Sequence, residues 1–295
     1  MTTTSLPPTV APAPPKPGRI TLQTLRDMKR RREPIAMLTA YDFHTARLFA
    51  AAGIEILLVG DSVATTLLGA DSTLAATMEI LLPLTAAVRR GAPAAFLMGD
   101  MPFASYPDVP TAVANAARFI RDAGADAVKL EADLRHKEII TALSAAGMTV
   151  CAHLGLLPQR APQQGGYLAQ GRTPAEARRI IDESLQLARA GAHLLLLEAI
   201  PDEVTAELQK QLAAHQLDIP VLGCGAGPSA DGHVQVSFDM LGYSDRVPRF
   251  VERFADLPAL ITDAAQRYHQ AIKSRAYPAP HHQYRMKTDP APVAP

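Results

Sequence analysis

Four carboxylates in this chain stand at the ends of apolar runs. Asp61 closes the run 54–60, Asp100 closes 94–99, Glu131 closes 125–130 and Glu198 closes 193–197. An apolar run without alternation reads as a strand buried on both faces of a parallel sheet, and ligands of α/β folds gather at the carboxyl ends of such strands. One shared acidic pocket is the expectation. Three carboxylates from neighbouring strands suit a hard cation of the magnesium type, which takes oxygen ligands and keeps positions for water or substrate. The sequence has no His/Cys spacing of a zinc site.

The neighbours of these acids sharpen their roles. Asp61 lies between Gly60 and Ser62, so a backbone able to approach a ligand closely is flanked by a carboxylate and a hydroxyl; capping the next helix is the other use of such an Asp. In Gly99-Asp100-Met101-Pro102 the proline stops the ladder and leaves the carboxylate at a loop. Lys129 and Glu131, two residues apart, point to the same side of one strand, and neither type is buried without a partner. Glu198 follows four consecutive leucines, and apolar walls raise a carboxyl pKa by desolvation, as a general base working near neutrality requires. His153 ends the run Val150-Cys151-Ala152-His153, where it could donate to a bound oxyanion or serve as a satisfied core histidine.

Two glycine-rich stretches, Gly165-Gly166-Tyr167 and Gly223-Cys224-Gly225-Ala226-Gly227, follow the fifth and seventh strand candidates. The second lacks the Lys-Ser/Thr of a P-loop. Both are expected to bring backbone close to a substrate or cofactor.

The elements that must position these residues alternate along the chain. Strands are expected at 35–38, 54–59, 94–98, 125–130, 149–153, 193–197, 220–222 and 234–238. Helical spacing of apolar residues marks 43–52, 78–90, 111–122, 135–146, 174–189 and 203–215. Glycines 53, 124, 147 and 191 stand between a helix end and the next strand, where a left-handed C-cap is needed. Eight such units predict a (β/α)8 TIM barrel of α/β class. A dinucleotide-binding sheet would need a glycine-rich turn after the first strand, and Ala40-Tyr41-Asp42-Phe43 has no glycine. A helix at 22–29 is placed to plug the barrel bottom, and 247–272 reads as one or two helices with a break at Pro258.

The chain has 295 residues, with 29 basic and 29 acidic side chains, so no basic surface for nucleic acid is indicated. Pro-rich tails are expected at 1–18 and 276–295, leaving a single barrel domain at 19–275. Cys151 and Cys224 lie in or beside apolar runs and read as reduced, buried thiols. There is no secretory h-region and no run long enough to span a bilayer, so a cytoplasmic protein is expected.

With these residues in view, the chain resembles the ketopantoate hydroxymethyltransferase family. The resemblance is carried in family order by Leu38-Thr39-Ala40-Tyr41-Asp42, Leu58-Val59-Gly60-Asp61-Ser62, Asp71-Ser72-Thr73-Leu74, Ala87-Val88-Arg89-Arg90-Gly91, Asp100-Met101-Pro102-Phe103 and Val128-Lys129-Leu130-Glu131. It continues through His153-Leu154-Gly155-Leu156, Pro158-Gln159, Gly165-Gly166-Tyr167, Gln170-Gly171-Arg172, Leu196-Leu197-Glu198, Gly225-Ala226-Gly227 and Asp231-Gly232. It implies a Mg2+ ion held by Asp61, Asp100 and Glu131, a 2-oxo acid chelating that ion, Ser62 and Lys129 contacting the substrate, and Glu198 as proton acceptor. It also implies 3-methyl-2-oxobutanoate and 5,10-methylenetetrahydrofolate as substrates, a place in pantothenate and coenzyme A biosynthesis, and a decameric homo-oligomer.

Several positions depart from the family pattern. Ala70 and Leu84 replace common histidines, Ala132-Asp133 replaces Gly-Gly, Leu168 replaces Lys, and Phe238 replaces His. They predict a divergent paralogue, with altered folate handling, helix packing or oligomer contacts. Two other readings remain: a catalytically weak paralogue kept as a binding or subunit protein, and a Mg-dependent 2-oxo acid carbon–carbon lyase of the phosphoenolpyruvate mutase/isocitrate lyase type. The second lacks the Lys-Lys-Cys-Gly loop expected of that group.

Overall fold

The computed structural model describes residues 18–286. Residues 1–17 of the first Pro-rich tail and 287–295 of the second lie outside the described residues; 276–286 are described and include a 3-10 turn at Pro280–His282. The elements run α1 (Leu22–Arg30), β1 (Ile35–Thr39), α2 (Phe43–Ala51), β2 (Ile56–Val59), α3 (Val63–Thr66), α4 (Met78–Gly91), β3 (Phe96–Asp100), α5 (Val109–Ala117) and β4 (Ala127–Glu131). They continue α6 (Lys137–Ala145), β5 (Thr149–Gly155), α7 (Pro174–Arg189), β6 (Leu194–Glu198), α8 (Asp202–Ala214), β7 (Val221–Cys224), β8 (Gly232–Gln235), α9 (Ser237–Met240) and α10 (Leu257–Lys273). The strands pair in parallel in sequence order, and β8 closes on β1. This is the (β/α)8 barrel that the alternating pattern predicts.

Helix ends follow local chemistry. Thr173 caps α7, Pro174 opens it, and Glu176 returns a bond to the cap, so donors left over in the first turn are satisfied. Each of the four inter-element glycines, 53, 124, 147 and 191, has positive φ, as a left-handed C-cap requires. The β7–β8 connection carries no helix among the described residues.

The two-residue period of each strand sends one row of side chains into the barrel. Ile35 and Met37, Ile56 and Leu58, Phe96 and Met98, Ala127, Cys151, Leu194 and Leu196, Leu222 and Val234 form one buried cluster. Leu25 and Met28 of α1 join this cluster from below, so α1 is the expected plug. Each fully buried aliphatic side chain contributes about 1.5–3 kcal/mol, and the closed core makes a rigid base for what stands above it. Continuing the same rows upward gives Asp100 above Met98, Lys129 and Glu131 above Ala127, His153 above Cys151, and Glu198 above Leu196.

The chain divides into two compact units. The first comprises the barrel through Ser237 together with Arg246–Val251, and in it Phe250 packs on the core beside Gly225. The second comprises Phe238–Asp245 and the chain from Glu252. In that unit Phe254 N–H donates to Met240 and Leu257 N–H to Leu241, ahead of α10. The expected helix over 247–272 begins only at Leu257, and Pro258 lies in its first turn rather than at a break, where a missing N–H is harmless.

Candidate active site

At the carboxyl ends of β2, β3 and β4 a buried polar cluster forms. Lys129 Nζ donates to both Asp100 oxygens at 2.8 and 2.7 Å, and the Asp61 backbone N–H donates to Asp100 Oδ2 at 3.1 Å. Asp100 and Glu131 are fully buried, while Asp61 and Lys129 are nearly so. Asp61 departs from the strand row, because β2 ends at Val59 and a turn carries it inward. It does not cap α3; it accepts from Gln159 Nε2 at 2.9 Å.

Gln159 is the residue that strand-based reasoning missed. Its backbone N–H donates to Glu131 Oε1 at 2.9 Å, its amide also donates to the Met101 carbonyl at 3.1 Å, and its Oε1 accepts from Tyr106 at 2.9 Å. One residue of the β5–α7 loop thus joins Asp61, through its side-chain amide, to Glu131, through its backbone N–H. Ser62 Oγ sits 2.8 Å from the Tyr41 hydroxyl.

Beside this cluster stand the other two predicted residues. His153 is paired in register with Glu131 across β4 and β5. Its Nε2 lies 3.2 Å from Glu198 Oε2, but off the hydrogen-bond line, so neither ring nitrogen has a hydrogen-bond partner. An unpartnered polar group this deep is available to a ligand.

The electrostatics follow from burial. Desolvation pushes Glu198 up to about 7, with only a partial offset from the Lys129 charge. Desolvation also raises Asp100 to about 7, against Lys129 and with the Asp61 charge. Glu131 is raised well above its ordinary value by burial, helped by Asp61 and Asp100. Burial alone would lower Lys129, but the three surrounding carboxylates overcome it and hold the ammonium charged. His153 is driven well below its ordinary value by burial and by Lys129, so its ring is neutral.

The donor set fits a divalent cation. Once ionised, the three carboxylates outnumber the one ammonium, their donor atoms are all oxygens, and Glu131 Oε2 is buried with no hydrogen-bond partner. Among the described residues no three His, Cys, Asp or Glu side chains stand as a ligand cluster, and Lys129 donates to both Asp100 oxygens.

The glycine-rich loops divide. Tyr167 borders the site: besides its own burial, the charges of Asp61, Glu198 and Glu131 raise its hydroxyl. Leu168, one of the departures, is its exposed neighbour. At the second loop the close approach is to the protein itself. A Cβ on Gly225 would lie 2.3 Å from Phe250, and one on Gly227 would lie 2.3 Å from Asp202. That loop is packed against its own fold rather than held open for a ligand. Among the described residues no helix is long and apolar enough to cross a membrane.

Known proteins resemble this chain in sequence and in fold. The ketopantoate hydroxymethyltransferase family model matches residues 19–280. The 3-methyl-2-oxobutanoate hydroxymethyltransferase of Geobacillus sp. (strain WCH70) is 44% identical over 264 residues, covering 89% of this chain and 93% of the relative. That of Thermus thermophilus is 42% identical over 267 residues, covering 90% of this chain and 100% of the relative. Among solved structures, a phosphoenolpyruvate phosphomutase from Streptomyces platensis subsp. rosaceus aligns with TM-score 0.59 at 16% identity, covering 89% of this chain and 93% of that one. A 2,3-dimethylmalate lyase aligns with TM-score 0.55, also at 16% identity, covering 88% and 92%. The distant structures share the barrel; the close relatives share the sequence throughout it. The chain belongs to the ketopantoate hydroxymethyltransferase family.

Proposed function

We propose that this protein removes the C3 proton of 3-methyl-2-oxobutanoate and adds a hydroxymethyl group from 5,10-methylenetetrahydrofolate, giving ketopantoate for pantothenate and coenzyme A synthesis. The observation that carries the reading is the pairing of a largely buried base with a separate carboxylate set. Glu198 has its pKa near neutrality and touches none of Asp61, Asp100 or Glu131. A base and a cation site that are distinct side chains let proton removal and carbonyl polarisation act together.

Asp61, Asp100 and Glu131 would hold Mg2+. When bound, the cation withdraws electrons from the keto oxygen as a Lewis acid. Lys129, on a flexible stem, meets the substrate carboxylate, and Ser62 contacts the same substrate. Glu198 takes the C3 proton, and its neutral neighbour His153 offers a ring N–H to the oxygen where charge develops. Water opens the N–CH2–N bridge of the folate, breaking both C–N bonds to free tetrahydrofolate and a formaldehyde-level carbon; the C3 carbon bonds to that carbon, and Glu198 returns its proton to the new hydroxyl oxygen. A decameric homo-oligomer and a cytoplasmic location belong to the same proposal by family likeness.

The test is product formation from the two substrates with Mg2+, followed by mass spectrometry. Ketopantoate in wild type and none in Glu198→Gln is the expected result. No product in wild type, with both substrates and the metal saturating, overturns the proposal.

A further inference from the structure

Gln159 holds the two outer members of the carboxylate set, yet it sits in a single 3-10 turn, Pro158–Arg160. The barrel ladder does not fix such a turn. What fixes it lies on its other side. Arg160, the next residue, donates from Nη1 to Asp133 Oδ2 at 2.7 Å, and its Nη2 lies 2.8 Å from His136 Nε2. A guanidinium only donates, so Nε2 of His136 accepts, and its Nδ1 carries the proton toward Asp133 Oδ1 at 3.0 Å. Asp133 also caps the Leu134–His136 turn by accepting from Arg135 N–H at 2.9 Å. The side chains of Arg160, Asp133 and His136 are each less than a fifth exposed, so this is a fork in a sheltered site rather than a screened surface pair.

The sequence positions give the fork its leverage. Asp133 is two residues beyond Glu131, and Arg160 is one residue beyond Gln159. Whatever sets the spacing of Asp133 and Arg160 also sets the 2.9 Å bond from Gln159 N–H to Glu131 Oε1. We infer that the Arg160–Asp133–His136 fork is a positioning device that sets the affinity of the carboxylate site for its divalent cation, acting through Gln159. The inference rests on the proposed cation site. Residues outside the ligand shell that orient it commonly tune metal affinity by about 10–100-fold. Here the tuning residues join the loops that follow β4 and β5, so the two loops act as one support.

Mn2+ binding by the full-length protein, followed by electron paramagnetic resonance of the free ion, tests this without turnover. Gln159→Ala is expected to weaken Mn2+ by about 10–100-fold, and Arg160→Ala by about 10-fold. Arg160→Lys, which keeps one arm to Asp133, falls between Arg160→Ala and wild type. In the Gln159→Ala background, Arg160→Ala costs less affinity than it does alone, because the side-chain bond to Asp61 is gone and only the backbone N–H bond to Glu131 is left for the fork to position. Urea denaturation without metal confirms that the variants are folded. An unchanged Mn2+ affinity in Arg160→Ala overturns the inference, and so does an equal loss with and without the Gln159 side chain. Asp100→Asn separates the two levels. If wild type binds Mn2+, Asp100→Asn does not, and Arg160→Ala matches wild type, the cation site stands and the fork falls; if wild type binds no Mn2+, both fall.

Discussion

Replacing Glu198 with Gln separates the chemistry of this residue from its energetics. The carboxyl moves from an ordinary 4.5 to about 7 through burial, and each pKa step of one is about 1.4 kcal/mol. Ionising Glu198 in the fold therefore costs about 3 kcal/mol relative to the unfolded chain. Its folded pKa is raised, so the fold has its full stability from this group below about pH 4.5 and loses it as the pH climbs through 7. Gln cannot ionise and escapes the loss. The stability of Glu198→Gln relative to wild type should thus rise by up to about 3 kcal/mol between pH 4 and pH 8, measured by urea denaturation at both. Over the same range its activity should collapse. Losing a general base lowers proton abstraction by about 10²–10⁴-fold, and the wild-type rate should fall about tenfold per pH unit below the inflection near 7. A stability difference that does not change with pH, or a Glu198→Gln rate within about tenfold of wild type at pH 8, would refute the reasoning.

Three further substitutions address the neighbouring groups. Asp100→Asn should weaken Mn2+ by at least about tenfold, while Glu198→Gln stays within about twofold of wild type; equal losses in both, by titration calorimetry, would break the division of roles. Lys129→Ala removes the one ammonium among three buried carboxylates and should destabilise the metal-free protein by about 3–5 kcal/mol, a loss that added Mn2+ reduces in denaturation curves. Gly155 has φ of +95° and would place a Cβ 2.3 Å from the Glu198 carbonyl. Gly155→Ala should therefore cost at least about 1–3 kcal/mol and lower kcat, with Mn2+ affinity kept.

Much of the site is legible in the sequence because strands impose a strict period. Once 94–98, 125–130, 149–153 and 193–197 are taken as strands, Asp100, Lys129, Glu131, His153 and Glu198 fall on the inward rows at their upper ends, where the structure has them. Asp61 escapes that rule: it is one residue off the inward row of β2, and only a turn brings it to Gln159. Gln159 itself escapes because its place depends on a loop packed by Tyr106, Asp61 and Met101, contacts far apart in the chain. The Pro158-Gln159 step after a strand end was the available signal. Glycine counts misled at 223–227, where the small residues make room for Phe250 and Asp202. Pro258 misled in the same way, since proline opens a helix as readily as it breaks one. The departures at Asp133 and Leu168 are plain in the sequence, but their surroundings are not: one joins Arg160 and His136, and the other flanks Tyr167.

The central claim is that Glu198 and the carboxylate set enolise a 2-oxo acid. Its most direct measurement is the exchange of the C3 hydrogen of 3-methyl-2-oxobutanoate for deuterium, followed by proton NMR in deuterated buffer with Mg2+ and no folate. The account predicts exchange by wild type that disappears in Glu198→Gln, and ketopantoate once 5,10-methylenetetrahydrofolate is added. Exchange without product would place the fault at the folate step, near Tyr167 and Leu168. No exchange by wild type with Mg2+ saturating would contradict the account.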